Sequence, residues 1–142
     1  MNINKIQDQI IDEFARMEDL YDKYELLVAY GKQIPAMDNK YKTEKNEIKN
    51  CQSRLWIACE IVDSKMIFHV YSDSEIVRGM AAVVLKVVNN QTPQVVAEND
   101  LYFIKGIGLN TLLSPIRANG LATMVKRINE LADNCVAEDR ES

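Results

Sequence analysis

The stretch Arg54-Leu55-Trp56-Ile57-Ala58-Cys59-Glu60-Ile61-Val62 puts Leu55, Ile57, Cys59 and Ile61 on one face of an extended chain and Trp56, Ala58 and Glu60 on the other. A period of two marks a strand. Asp63-Ser64-Lys65 supplies a short turn, and from Met66 to Tyr71 the residues Ile67, His69 and Tyr71 alternate against Met66, Phe68 and Val70. The two runs predict an antiparallel hairpin. The remaining periodic segments read as helices, so this stretch decides the class: an α+β domain, helices packed on a small antiparallel sheet.

Downstream, Ser72-Asp73-Ser74 offers helix caps, and Glu75 in the first turn suits the positive end of the helix dipole. Ile76, Val77, Met80, Ala81, Val83, Val84, Val87 and Val88 cover more than one face, which predicts the most buried helix of the fold. Thr92-Pro93 is a cap followed by proline at the first helical position, opening a short helix through Glu98. An apolar run from Leu101 to Ile104 ends at Gly106 and Gly108. Ser114-Pro115 repeats the cap-and-proline signal for a last helix with Leu121, Met124, Val125, Ile128 and Leu131 inward, and residues 136–142 form a charged tail expected to fray.

Upstream, Ile3, Ile6, Ile10, Phe14 and Met17 recur at helical spacing, interrupted by Glu18 and Asp19. Leu20, Tyr24, Leu27 and Val28 begin a second stripe, read as core packing, with Gly31 as its stop and Pro35 forbidding continuation. The segment from Pro35 to Glu47 is polar and aperiodic, a surface loop too short to link domains. No repeats or low-complexity tracts occur, and 142 residues suit one domain, residues 1–142.

Lys and Arg number 17 and Asp and Glu 21, a net charge of −4 that argues against a general nucleic-acid surface. Three cysteines without Cys-x-x-Cys spacing fit a reducing compartment. Polar residues stand where a signal peptide would carry its apolar core, and no apolar run is long enough to span a bilayer. The expectation is a soluble cytoplasmic protein with no membrane attachment.

Just before the first strand, the polar run Thr43-Glu44-Lys45-Asn46-Glu47 gives way to apolar residues within a short distance. Cys51 sits at the change, flanked by Asn50 and by Gln52-Ser53. Loop residues at the lip of a rigid element often carry binding or catalytic groups, and a partly exposed thiol there can ionise and react. A small hydrophobe is the other reading. Cys59, mid-strand on the apolar face, should have a raised pKa and low reactivity, and Cys135 near the charged tail reads as incidental. His69 would make a Cys-His pair only if close to Cys51 and oriented by an acceptor. Cys51, Cys59 and His69 lack metal-ligand spacing, and Gly106-Ile107-Gly108 is no phosphate loop. Asp73 reads most simply as a helix cap. Arg117 faces the unfavourable end of a helix dipole, and Asn119-Gly120 weakens the same turn, so both ask for another reason to be there.

Asn46-Glu47-Ile48-Lys49-Asn50-Cys51-Gln52-Ser53-Arg54-Leu55-Trp56 resembles the active-site segment of the SufE/CsdE family of sulfur acceptor proteins. Asp73-Ser74-Glu75-Ile76-Val77-Arg78-Gly79 and Leu113-Ser114-Pro115-Ile116-Arg117-Ala118-Asn119-Gly120-Leu121 resemble further segments of that family in the same order. The likeness runs from about Phe14 to Leu131. It departs at Asn50, where the family usually has Gly; Asn is one of the few other residues that visit positive φ cheaply.

The resemblance implies a SufE/IscU-like fold with a three-stranded sheet, the third strand lying just before Cys51 or just after Val62. It implies a sulfur relay in which Cys51 takes persulfide sulfur from a cysteine desulfurase of SufS or CsdA type and passes it to an iron–sulfur scaffold. Asn50, Gln52, Ser53, Asp73, Arg117, Asn119 and Gly120 are then supporting or partner-binding residues. No cofactor is expected in this chain, pyridoxal phosphate belonging to the desulfurase. Such a carrier works with an enzyme rather than alone. The alternative is a non-catalytic binding module that regulates a desulfurase or another partner, which would survive Cys51→Ser.

Overall fold

A computed structural model of the protein describes residues 2–49 and 53–141. At its centre, β1 (Leu55–Val62) and β2 (Lys65–Ser72) pair antiparallel, from Leu55 opposite Ser72 to Val62 opposite Lys65. The turn consists of Asp63 and Ser64 alone, both left-handed, at φ 51° and 67°. Positive φ at both central residues matches the twist of the strands in a two-residue hairpin. Lys65, expected in the turn, therefore already belongs to β2.

Met66, Phe68 and Val70 of β2 are buried with Leu55 and Ile57 of β1, and α3 (Glu75–Val88) packs on β2. The N-cap of α3 is Ser74, whose Oγ accepts from the Val77 N–H at 3.4 Å. Its apolar residues are buried on nearly every side, as their spread around the helix predicted. Burial fades along β1, from fully buried Leu55 through half-buried Cys59 to Ile61 and Val62, 49% and 46% exposed at the hairpin tip.

On the far side of α3 lie α1 (Ile3–Ala15) and α2 (Leu20–Lys32). The inner stripe of α1 is Ile3, Gln7, Ile10 and Phe14, so a glutamine takes a place that the apolar spacing gave to Ile6. Gln7 is fully buried because its amide is used at both ends: Oε1 accepts from the Phe103 N–H and Nε2 donates to the Asp100 carbonyl, each at 3.1 Å. The stripe of α2 is also corrected. Leu27 and Tyr30 are buried, but Leu20 and Tyr24 are 58% and 38% exposed and pack no core.

Gly31 does not stop α2; it lies within the helix, against Gly79 of α3. A Cβ on Gly31 would meet the Gly79 nitrogen at 2.7 Å, and one on Gly79 would meet the Leu27 carbonyl oxygen at 2.1 Å. The two helices cross backbone to backbone. Further along, Tyr30 Oη donates to the Glu13 carboxylate and accepts from Lys86 Nζ at 3.3 Å, joining α1, α2 and α3.

The chain continues through α4 (Pro93–Glu98), the single turns α5 (Phe103–Gly106) and α6 (Leu109–Leu112), and α7 (Pro115–Glu141). The last helix thus takes in charged residues expected to form a frayed tail. Thr92 caps α4, and Ser114 Oγ accepts from the Arg117 N–H at 3.3 Å in the first turn of α7. Among the described residues no helix is long and apolar enough to cross a membrane.

The sheet has two strands among the described residues, not three. Before Cys51 the third strand is reduced to one bridge, Glu47 opposite Trp56, with the Ile48 N–H donating to the Leu55 carbonyl at 2.7 Å. The chain ahead of Glu47 is wound into two 3-10 turns, Asn39–Tyr41 and Glu44–Asn46, and so has no extended backbone to offer. After Val62 the tight turn leaves no room for another strand. The outer edge of β2 is instead closed by Gln91, whose carbonyl accepts from Met66 N–H at 2.8 Å, and by Asn89 Oδ1, which accepts from Phe68 N–H at 2.7 Å.

Candidate functional site

Asn50, Cys51 and Gln52 lie outside the described residues; the residues on either side of them are described. The bond from Ile48 N–H to the Leu55 carbonyl holds the two ends of the intervening segment together. A second tie runs to the start of α3: Asp73 Oδ1 accepts from the Arg54 N–H at 3.2 Å. Asp73 is therefore not the cap of α3, which is Ser74; it fastens the exit of the Cys51 segment to that helix. Ser53, half-buried, stands between.

A third tie is ionic. Arg54 Nε donates to Glu47 Oε2 at 3.1 Å, and Lys49 Nζ lies 3.5 Å from Glu47 Oε1. The hydrogen bond from Arg54 holds the Glu47 carboxyl below its usual pKa, with the positive charges of Arg54 and Lys49 adding to the effect. Glu47 thus binds a residue on each side of Cys51.

The outer face of the hairpin carries an aromatic platform next to this frame. Trp56 and Tyr71, opposite each other in the ladder, stack with ring centroids 6.4 Å apart. Lys42 Nζ lies 4.3 Å from the Tyr71 ring centre and 6.0 Å from that of Trp56. The Arg54 guanidinium sits 4.5 Å over Trp56 and that of Arg78 is 5.5 Å over Tyr71. Beside them Tyr41 stacks on His69 at 4.8 Å, with Lys40 Nζ 5.0 Å from the Tyr41 ring. Sequence reading passed over Lys42, Glu47, Arg54, Tyr71 and Arg78. Two signals pointed to them: Glu47 and Arg54 are opposite charges flanking the cysteine, and Arg78 follows Asp73 by about one turn and a half of helix.

The other candidates fall elsewhere. Cys59 is half-buried, and burial, reinforced by the nearby Cys135 thiol, pushes its pKa up to about 11. This matches the low reactivity expected of it. His69 Nε2 pairs with Glu60 Oε1 at 3.0 Å on the outer face of the hairpin. Arg117 is half-buried in the first turn of α7, Asn119 is exposed with its carbonyl accepting from Thr123 Oγ1 at 2.9 Å, and Gly120 is buried. No hydrogen bond or ion pair among the described residues joins these three to the Glu47–Arg54–Asp73 frame. Among the described residues no three His, Cys, Asp or Glu converge as metal ligands. A cleft of ≈ 500 Å³ lies between α2, α3 and β2, lined by Tyr30, Ile34, Phe68, His69 and Lys86 among others, and its described lining contains no cysteine.

Comparison with known proteins places this arrangement in a family. Residues 8–132 match the SufE model, described as an Fe-S metabolism associated domain. An uncharacterized SufE-like protein of Rhizobium meliloti (strain 1021) is 35% identical over 131 residues, covering 89% of this chain and 94% of its own. The sulfur acceptor protein CsdE of Escherichia coli (strain K12) is 34% identical over 117 residues, 81% of this chain and 80% of its own. Among solved structures, a hypothetical protein from Thermus thermophilus superposes with a TM-score of 0.78 at 17% identity, covering 93% of this chain and 96% of its own, a likeness of fold. The chain belongs to the SufE family.

Proposed function

We propose that this chain is a sulfur relay: it accepts persulfide sulfur from a SufS- or CsdA-type cysteine desulfurase onto Cys51, stimulates that enzyme, and hands the sulfur to an iron–sulfur assembly scaffold in the cytoplasm. The observation that carries the reading is the frame around Cys51. Glu47, Arg54, Asp73 and the Ile48–Leu55 bond tie both flanks of the segment to the hairpin and α3. Membership of the family and the name of the Escherichia coli relative support it.

The chemistry is thiol exchange in kind. The Cys51 thiolate attacks the outer sulfur of the desulfurase persulfide. A new S–S bond forms on Cys51, the bond to the desulfurase sulfur breaks, and that cysteine leaves as a thiolate. No electrons are gained or lost overall. The desulfurase holds the pyridoxal phosphate that generates the persulfide, so this chain needs only a thiolate, access and an approach close to linear. Cys59 is a poor substitute: with a pKa of about 11, roughly one thiol in ten thousand is ionised at pH 7.

Intact-mass spectrometry after mixing with a SufS-type desulfurase and cysteine tests this. The wild-type chain should gain one sulfur that maps to Cys51. Cys51→Ser should lose both the gain and the stimulation, while Cys59→Ala and Cys135→Ser keep most of both. A Cys51→Ser protein that still stimulates the desulfurase would identify a regulator instead.

A further inference from the structure

Resting on the relay reading, we infer that the platform formed by Lys42, Arg54, Arg78, Trp56 and Tyr71 is the docking surface for a carboxylate-rich rim on the desulfurase, around the mouth from which its persulfide is presented.

The first argument is how these cations are held. Arg54 shares Glu47 with Lys49. Lys42 and Arg78 have ring faces and, among the described residues, no carboxylate within ion-pair distance. A ring quadrupole attracts a cation without neutralising it, so the charge stays available to an anion arriving from outside. In a chain of net charge −4, an uncompensated positive surface is a local departure from the whole. Complementary charge of this kind acts mainly on the rate and register of encounter.

The second argument is rigidity. Trp56 is 7% exposed, clamped between strand pairing with Tyr71 and the cations above it, so the cationic groups sit on a surface that packing has already fixed. Docking therefore orders few side chains, which lowers the entropic cost of association. Position is the third argument. Arg54 is both a member of the platform and one end of the Cys51 frame, and Arg78 lies on the helix to which Asp73 fastens that frame. A partner seated on the platform is necessarily beside the segment that carries the acceptor thiol.

Stopped-flow association with a SufS-type desulfurase, over a series of salt concentrations, tests this. All proteins carry Cys51→Ser so that no transfer intervenes. Lys42→Glu and Arg78→Glu should each slow association by about tenfold at low salt and flatten its salt dependence. Lys126→Glu, on the exposed side of α7, should do neither. Lys42→Gln and Arg78→Gln, which remove charge without reversing it, should give intermediate rates, and carry the test if a reversal fails to fold; Lys42→Arg should restore the wild-type rate. Reversal variants that associate at the wild-type rate overturn the docking surface while leaving the relay intact, provided the parent chain binds. A parent chain that binds no desulfurase overturns both. Tighter binding of a single-stranded oligonucleotide than of the desulfurase, lost in the same variants, would reassign the surface to a nucleic acid and overturn the proposal.

Discussion

At the scale of single residues, Glu47 couples the chain's response to acid to the residues flanking Cys51. Its carboxyl titrates below the ordinary range because the ionised form takes a hydrogen bond from Arg54. A group whose folded pKa lies below its unfolded one stabilises the fold above the unfolded value, and that contribution is lost as pH falls through the folded value. The stability difference between wild type and Glu47→Gln, read from urea midpoints, should be largest near neutral pH and shrink as the pH falls below the ordinary glutamate range. A difference that persists unchanged into acid would mean the ion pair with Arg54 contributes nothing. In the sequence Glu47 is one charge in a polar run, marked only by the opposite charge of Arg54 across the cysteine. Cys59 was legible, because its place in an alternating strand fixes which way the thiol points.

At the scale of elements, the hairpin, the burial of α3 and the Thr92-Pro93 and Ser114-Pro115 helix starts could all be read ahead, since each rests on local chemistry. Long-range fits could not. Gly31 looks like a helix terminator until Gly79 arrives from another helix, and Gly79 looks incidental within its motif until Leu27 faces it. Gln7 breaks its stripe for a partner almost a hundred residues away. Asp73, a natural helix cap beside Ser74, serves a strand instead. The crossing makes a firm prediction. Gly79→Ala places a methyl group 2.1 Å from a backbone oxygen that cannot swing aside, so α2 and α3 must part. The cost should be about 3 kcal/mol in chemical denaturation, at the upper end for overpacking. A loss below about 1 kcal/mol, the usual effect of a minor misfit, would show that the helices separate easily.

Across the whole molecule, order is not evenly shared. α3 and the inner face of the hairpin carry the densest burial, whereas α5 and α6 are single turns joined through Gly108, left-handed at φ 74°. Hydrogen exchange under native conditions should follow this division. Amides of β2 and α3 should exchange only through global unfolding, and those of α5 and α6 well before, because a single turn has few hydrogen bonds of its own to break on opening locally. Uniform protection from α3 through α7 would instead make the molecule one cooperative unit. What sequence reading missed at this scale was the sheet itself, expected to have three strands: among the described residues it has two, with an isolated bridge on each outer edge, and the 3-10 turns ahead of Glu47, whose polar residues carry no period to announce them, take the place of the third.

The bond between Ile48 and Leu55 has a consequence for how such a carrier can change over generations. Once two chain positions are joined, extending the path between them adds only logarithmically to the entropy of closure, about 0.6 kcal/mol for each doubling. Folding therefore exerts little pressure against lengthening the chain between the tied residues Lys49 and Arg54. Insertions there cost the scaffold little and are screened chiefly by how far a thiol must travel into a particular enzyme. The reach of the carrier and the survival of its fold are separate traits, free to drift independently until a new client sets the distance.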